Sequence, residues 1–244
     1  MNLNTVRSIL CLALLIALGG CATIQPYDYT NYRAHPPRSI LVLPPLNNST
    51  AVEGTYSYLS TVSRPLAELG YYVFPVAVID EYLKANGMPT AGEMQQIPLD
   101  KAREIIGADA VLYVTLEKYG SKYEIINSVS MVTVKASLID TRSHTVLWEG
   151  DAAVQQAANS SGNILADLIA AAVTQVINSK TDAAHPVCRV ANEQLFFKDK
   201  RALPYGPYSP QYAVRKSLIA NTIGTVRHAE AAGPADLRHR AVAD

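Results

Sequence analysis

Ser39-Ile-Leu-Val-Leu-Pro-Pro-Leu46 reads as a buried strand. Its apolar residues are continuous rather than alternating, and Pro44 and Pro45 end it because proline cannot donate to a ladder. After the polar loop Asn47-Asn48-Ser49-Thr50, Leu59, Val62, Leu66 and Leu69 recur near helical spacing, which predicts a helix over Tyr56 to Leu69. Pro65 is expected to kink or divide that helix, and Gly70 fits its C-cap. Tyr71 to Pro75 is a second short strand. Helices follow over Val78 to Asn86, stopped by Gly87, and over Ile97 to Ile106, with Pro98 in the first turn and Gly107 after the end. Strands separated by helices imply right-handed crossovers and parallel pairing.

The pattern changes at residue 110. Ala110, Leu112, Val114 and Leu116 alternate with Val111, Tyr113, Thr115 and Glu117, which marks a strand. Val129 to Ile139 and Val146 to Val154 are further strands, joined by the polar turn Thr141 to Thr145, so they should be antiparallel neighbours. Ile164 to Ile177 returns to helix after Ser160-Ser161-Gly162-Asn163. The order β-α-β-α-α-β-β-β-α predicts one α/β domain over 38–184. It is a mixed sheet that starts parallel and ends as an antiparallel meander, with helices packed on it.

The flanks read differently. Arg7 precedes an uncharged apolar run from Ile9 to Leu18, then Gly19, Gly20 and Cys21. Ten apolar residues are too few to span a bilayer, which takes about 20. They fit a secretory signal over residues 1–20. Leu18-Gly19-Gly20-Cys21 matches a bacterial lipobox, so Cys21 is expected to carry the lipid. Two acyl chains suffice for stable anchoring. Ala22, rather than Asp, favours the outer membrane with the domain facing the periplasm. Residues 21–37, with three prolines and three tyrosines, read as an extended tether. Residues 185–200 are an extension whose role the pattern leaves open. Residues 201–244, alternating Pro and Tyr and then rich in Ala, Arg and His, read as a disordered tail.

Composition excludes several classes. The 21 Lys+Arg balance 21 Asp+Glu, and 49% of residues are hydrophobic, unlike a disordered polyelectrolyte or a dedicated nucleic-acid binder. With Cys11 in the signal and Cys21 lipidated, only Cys188 remains, and no intramolecular disulfide can form. There is no Gly-x-Ser-x-Gly elbow, phosphate loop or dinucleotide fingerprint. His185 and Cys188 form a lone His-x-x-Cys, too little for a metal site. No cofactor is expected. The carboxylate pairs Asp80/Glu81 and Asp100/Glu104 read as solvated helix faces, and Ser160 and Ser161 show no base nearby. The helix Ile164 to Ile177 is apolar around much of its circumference, which points to a self-association surface at Leu168, Ala172 and Val176.

Pro26-Tyr-Asp-Tyr-Thr-Asn-Tyr-Arg33, Pro37 to Asn48, Gly70 to Pro75, Asp109 to Tyr113 and Leu147-Trp-Glu-Gly150 together carry a likeness over roughly residues 15–182. The sequence resembles a family of Gram-negative lipoproteins that includes a meningococcal surface-antigen candidate. The resemblance implies a fold like the N-terminal domain of TolB, a homodimer, and association with a CsgG-like outer-membrane lipoprotein. It brings no catalytic residue, only Cys21 as the lipid attachment site. The function so implied is a non-enzymatic accessory or structural lipoprotein of an envelope transport or secretion assembly. The alternatives are an envelope hydrolase without a recognisable motif and a pore-forming outer-membrane subunit. The third is disfavoured because the 110–116 stretch is shorter than the 9–11 residues of a spanning strand and Val129 to Ile139 carries Lys135.

Overall fold

A computed structural model describes residues 26–123, 128–157, 182, 184–198 and 201–213. Strand β1 (Ser39–Val42) lies inside the sheet, with all four residues buried. That is why its sequence does not alternate. It pairs in parallel with β3 (Tyr72–Val73) on one side and β4 (Ala110–Tyr123) on the other, with Ile40 beside Val73 and Ala110. The two prolines end β1, but the chain resumes as β2 (Leu46–Asn47) against Thr115 and Leu116 of β4. Antiparallel β5 (Ser128–Asp140) and β6 (Val146–Ala157) complete the order β3-β1-β4-β5-β6. The mixed sheet expected from the element order is present.

Two crossovers supply the helices. A first helix, α1 (Thr30–Ala34), precedes β1. Helix α2 (Gly54–Glu68) runs unbroken through Pro65. Pro65 has no N–H for the Thr61 carbonyl, yet Leu59, Val62 and Leu66 form one buried stripe that holds the helix on the sheet, and Leu69 N donates to Pro65 O. The expected division into two helices is therefore corrected. Gly70, at φ 87°, closes α2 with bonds from its own N to Ala67 O and from Tyr71 N to Leu66 O. The second crossover holds α3 (Val76–Ala85), α4 (Ala91–Met94) and α5 (Leu99–Lys101), which continues as a π-helical turn over Ala102–Ile106. The sequence reading passed over α4, although Thr90 and Glu93 form a complete capping box.

The sheet divides the core in two. Ile40, Val42, Leu112, Leu116, Val132, Val134 and Leu138 pack under α2 and under α6 (His185–Phe197). Leu41, Leu43 and Val111 pack under α3, α4 and α5 through Ile79, Leu83, Met94 and Ala102. On that second side β5 and β6 carry an outer row of polar residues. Lys135 stands between Thr115 and Asp151 in register and pairs with Glu117 at 3.1 Å.

The domain is wider than 38–184, and three boundaries are corrected. Residues 26–37 are docked rather than extended. Tyr32 is buried and shares a 2.6 Å hydroxyl bond with Tyr71, Tyr29 donates to Ala202 O at 2.6 Å, and Asn31 donates to Val146 O at 3.1 Å. Tyrosine offers contact area with a polar end, which suits it to this seam. The extension 185–200 contains α6, a core helix whose Val187, Cys188, Ala191, Leu195 and Phe196 are buried. Residues 201–213, expected in a disordered tail, form a strap. Trp148 Nε1 donates to Arg201 O at 2.8 Å, Leu203 is buried, and Gly206 N donates to Leu69 O at 2.8 Å. The signal segment and Cys21, the helix predicted over Ile164 to Ile177, and residues 214–244 lie outside the described residues.

Candidate functional site

The densest polar cluster joins three elements. Ser57 comes from α2. Tyr119 comes from β4, just beyond the register shift at Leu116/Lys118, and Asp182 stands ahead of α6. Ser57 Oγ donates to Asp182 Oδ2 at 2.5 Å and accepts from Tyr119 Oη at 2.6 Å. Tyr119 also contacts the Asp182 carboxylate. Asp182 Oδ1 accepts from Ala184 N at 3.1 Å at the start of α6. Burial, and then the neighbouring carboxylate, pushes the Tyr119 hydroxyl up, so it stays a neutral donor.

One turn further along α2, Ser60 Oγ lies 3.0 Å from His185 Nε2. A serine, a histidine and an aspartate are therefore neighbours, but they do not form a relay. Ser60 Oγ also bonds within its own helix, donating to Ser57 O at 2.7 Å. The Asp182 carboxylate serves Ser57, Tyr119 and Ala184, not the imidazole. A nucleophile needs a base oriented by a third group, and the carboxylate that could orient this imidazole is engaged elsewhere. The neighbouring Cys188 is buried, and burial pushes its thiol up to about 12, away from reactivity. The cluster fastens α6 to α2 and β4. Two buried polar atoms in the same helix seam, Tyr58 Oη and Asn192 Oδ1, have no partner among the described residues.

The other sequence candidates have local explanations. Asp80 pairs with Lys84 at 2.5 Å and accepts from Tyr56 Oη at 3.3 Å. Glu81 lies 3.5 Å from Lys84, and Glu104 pairs with Lys101 at 2.8 Å. Asp100 meets His144 across 3.1 Å. A depression of about 300 Å³ is lined by His35, Arg38, Asp109, Asp140 and Arg142 among others. Its carboxylates are occupied by the backbone: Asp109 takes Arg38 N and Ser39 N, and Asp140 takes Arg142 N and Ser143 N. Among the described residues no three His, Cys, Asp or Glu side chains are grouped to hold a metal ion, and no helix is long and apolar enough to cross a membrane.

The exposed apolar residues have a pattern of their own. Tyr72 on edge strand β3 is 51% exposed, and on α3 Val78 and Tyr82, one turn apart, are 63% and 41% exposed. Tyr72 packs edge-on against Phe74 with centroids 5.1 Å apart. Tyr56 stands nearby under Lys84, 5.1 Å from the ring centroid. A two-residue strand end with aromatic flanks suits protein contact rather than chemistry. The sequence reading did not select these residues, although the i, i+4 spacing of Val78 and Tyr82 was visible. Of the residues it did select, Cys21, Leu168, Ala172 and Val176 lie outside the described residues.

Helices cover both faces of the mixed sheet in this α/β domain, and sequence comparison supplies its kin. The chain belongs to the family described as "Putative lipoprotein GNA1162-like", whose model matches residues 27–208. The likeness thus runs beyond residue 182 and takes in both the docked tyrosines and most of the strap. The chain is 42% identical over 186 residues to "Putative lipoprotein NMB1124/NMB1162" of Neisseria meningitidis serogroup B, covering 75% of this chain and 86% of that one. It is also similar to the crystal structure of lipoprotein GNA1162 from Neisseria meningitidis. The TM-score is 0.50 and the identity 45%, over 59% of this chain and 100% of that one.

Proposed function

We propose that this protein is a non-enzymatic lipoprotein, acylated at Cys21 and held at the periplasmic face of the outer membrane. It serves there as an accessory component of an envelope transport or secretion assembly with a CsgG-like partner. The reading is supported first by how the polar groups are used. Serine, histidine, aspartate and cysteine converge near the start of α6, yet the Asp182 carboxylate is bonded to Ser57, Tyr119 and Ala184, the Ser60 hydroxyl donates to Ser57 O, and Cys188 is buried. Membership of a lipoprotein family supports the anchor. The likeness to the N-terminal domain of TolB and a homodimer through Leu168, Ala172 and Val176 belong to the same proposal. They rest on the sequence.

Photo-crosslinking amino acids at Tyr72 and Tyr82 in intact cells test the partner. Capture of a CsgG-like lipoprotein at these positions, and not at exposed Arg142, is expected. Equal capture at all three would sink the assignment. Replacing Cys21 with Ser should abolish acyl labelling, and a variant that still labels would overturn the anchor. Sedimentation of Ala172→Glu against the unaltered protein tests the dimer. A monomeric unaltered protein at tens of micromolar refutes it.

The pore reading is not favoured by the strands. Their length no longer excludes it, since β4, β5 and β6 have 14, 13 and 12 residues. The obstacle is that their apolar face is already covered by α2 and α6, leaving none for lipid.

A further inference from the structure

We infer that the anchored protein rests on the bilayer in one orientation, with the surface around Tyr27 and Arg201 against the lipid and the β3–α3 edge held away from it. The inference rests on acylation at Cys21. It adds a fixed lipid-facing surface, which anchoring alone does not require.

The argument is one of reach. A seventeen-residue tether would let the domain wander by tens of ångströms, but docking of the tyrosine-rich segment removes most of that length. Tyr27 Oη accepts from Glu149 N at 2.8 Å, and its ring lies 5.3 Å from the Arg201 guanidinium carbon. Tyr29 donates to the strap at Ala202 O, and Asn31 to β6 at Val146 O. Free length therefore ends at Pro26. From Cys21 to Pro26 there are five Cα steps, at most about 19 Å when fully extended. That is shorter than the width of the domain it carries.

The point of attachment is also at one end of the sheet. Tyr27 sits on β6, and the strand order puts β3 at the opposite edge, four spacings or about 19 Å away. A short leash at one edge brings that edge closest to the headgroups. Charge does not do this work. Around Tyr27 there is no surplus of cations: Arg201 is paired to Asp151 at 3.2 Å, Arg33 stands 3.9 Å from Asp28, and Glu149 adds a further carboxylate. Leash length sets the orientation, so it should be insensitive to salt. Tyr72, Val78 and Tyr82 are left facing away from the membrane.

The test uses the full-length, lipidated protein in phosphatidylethanolamine/phosphatidylglycerol vesicles that carry a headgroup-linked acceptor dye. A donor amino acid is introduced at Glu149 or at Ala77, both exposed. Transfer from position 149 is expected to exceed that from position 77 about twofold or more, given the spacing across the sheet. Inserting about 20 Gly/Ser residues after Thr23 should bring the ratio towards one. Equal or reversed transfer in the uninserted protein overturns the orientation. A ratio that survives the insertion also overturns it, because the leash would then not be its cause. Failure of the uninserted protein to float with vesicles is a separate result and overturns the anchoring at Cys21 and the orientation with it.

Discussion

Gly206 lies directly on Gly70: a Cβ on either residue would overlap backbone belonging to the other's segment, the Gly70 carbonyl in one case and Ser209 N in the other. The N–H of Gly206 donates to Leu69 O, and Tyr208 N donates to Gly70 O at 3.0 Å. The C-cap of α2 and the strap after α6 thus close on each other with no room for a side chain. Gly70, at φ 87°, answers a second demand as the left-handed residue of the cap.

Gly206→Ala is predicted to destabilise by about 1–3 kcal/mol through overpacking. Leu203→Ala should cost about 2–5 kcal/mol through the cavity it leaves. At about 2–4 °C per kcal/mol for a domain of this size, each should lower Tm by several degrees in a calorimetric scan. Truncation after residue 200 should lower it further, since Trp148 Nε1 and the Tyr71 hydroxyl lose their carbonyl partners on Arg201 and Pro204. An unchanged Tm in all three would show that the strap contributes nothing.

Alkali should unfold the protein in a manner that depends on Cys188. Burial raises its thiol from the ordinary 9.0 to about 12. A proton held more tightly in the folded state stabilises fully below pH 9, and that contribution is lost as pH climbs towards 12. Tyr58 and Tyr119, also raised by burial, add to the loss at higher pH. Urea midpoints measured between pH 8 and 11 should fall in the unaltered protein and fall less steeply in Cys188→Ala. Parallel curves would refute the assignment.

Tyr58→Phe is predicted to be neutral or stabilising by up to about 1 kcal/mol. The Tyr58 hydroxyl is fully buried without a partner among the described residues, and removing an unpaired polar atom removes a desolvation cost. Tyr32→Phe is the contrast, because its hydroxyl shares a bond with Tyr71 and loss should destabilise. A fall in Tm for Tyr58→Phe equal to that for Tyr32→Phe would show that the hydroxyl is satisfied.

Ser60 should resist fluorophosphonate. Its hydroxyl donates to Ser57 O, and the Asp182 carboxylate that could orient His185 as a base is bonded to Ser57 and Ala184 instead. Stoichiometric labelling of Ser60, lost in His185→Ala, would revive the hydrolase reading.

The sequence by itself determined the sheet. Its signals are local: continuous apolar residues at 40–43, two distinct faces over 110 to 117, and a polar turn at 141–145. Periodicity within one element predicts which face is buried, and crossover handedness and turn length then fix the neighbours. The lipobox at Leu18 to Cys21 is equally local. Tertiary structure alone decided what becomes of the segments outside 38–184. Tyr27, Tyr29 and Tyr32 carry no apolar period, and a run of Pro and Tyr resembles a linker until a partner surface is known. Their docking depends on carbonyls and hydroxyls presented by Ala202, Val146, Glu149 and Tyr71, at distant places in the chain. The 201–209 strap depends likewise on Trp148 and on the Gly70–Gly206 contact. The Ser57–Tyr119–Asp182 cluster was illegible for the same reason, since its members come from three separate elements. Whether Ser60 is a nucleophile or a structural donor depends on Ser57 O and on the partners of the Asp182 carboxylate, which only the fold brings together.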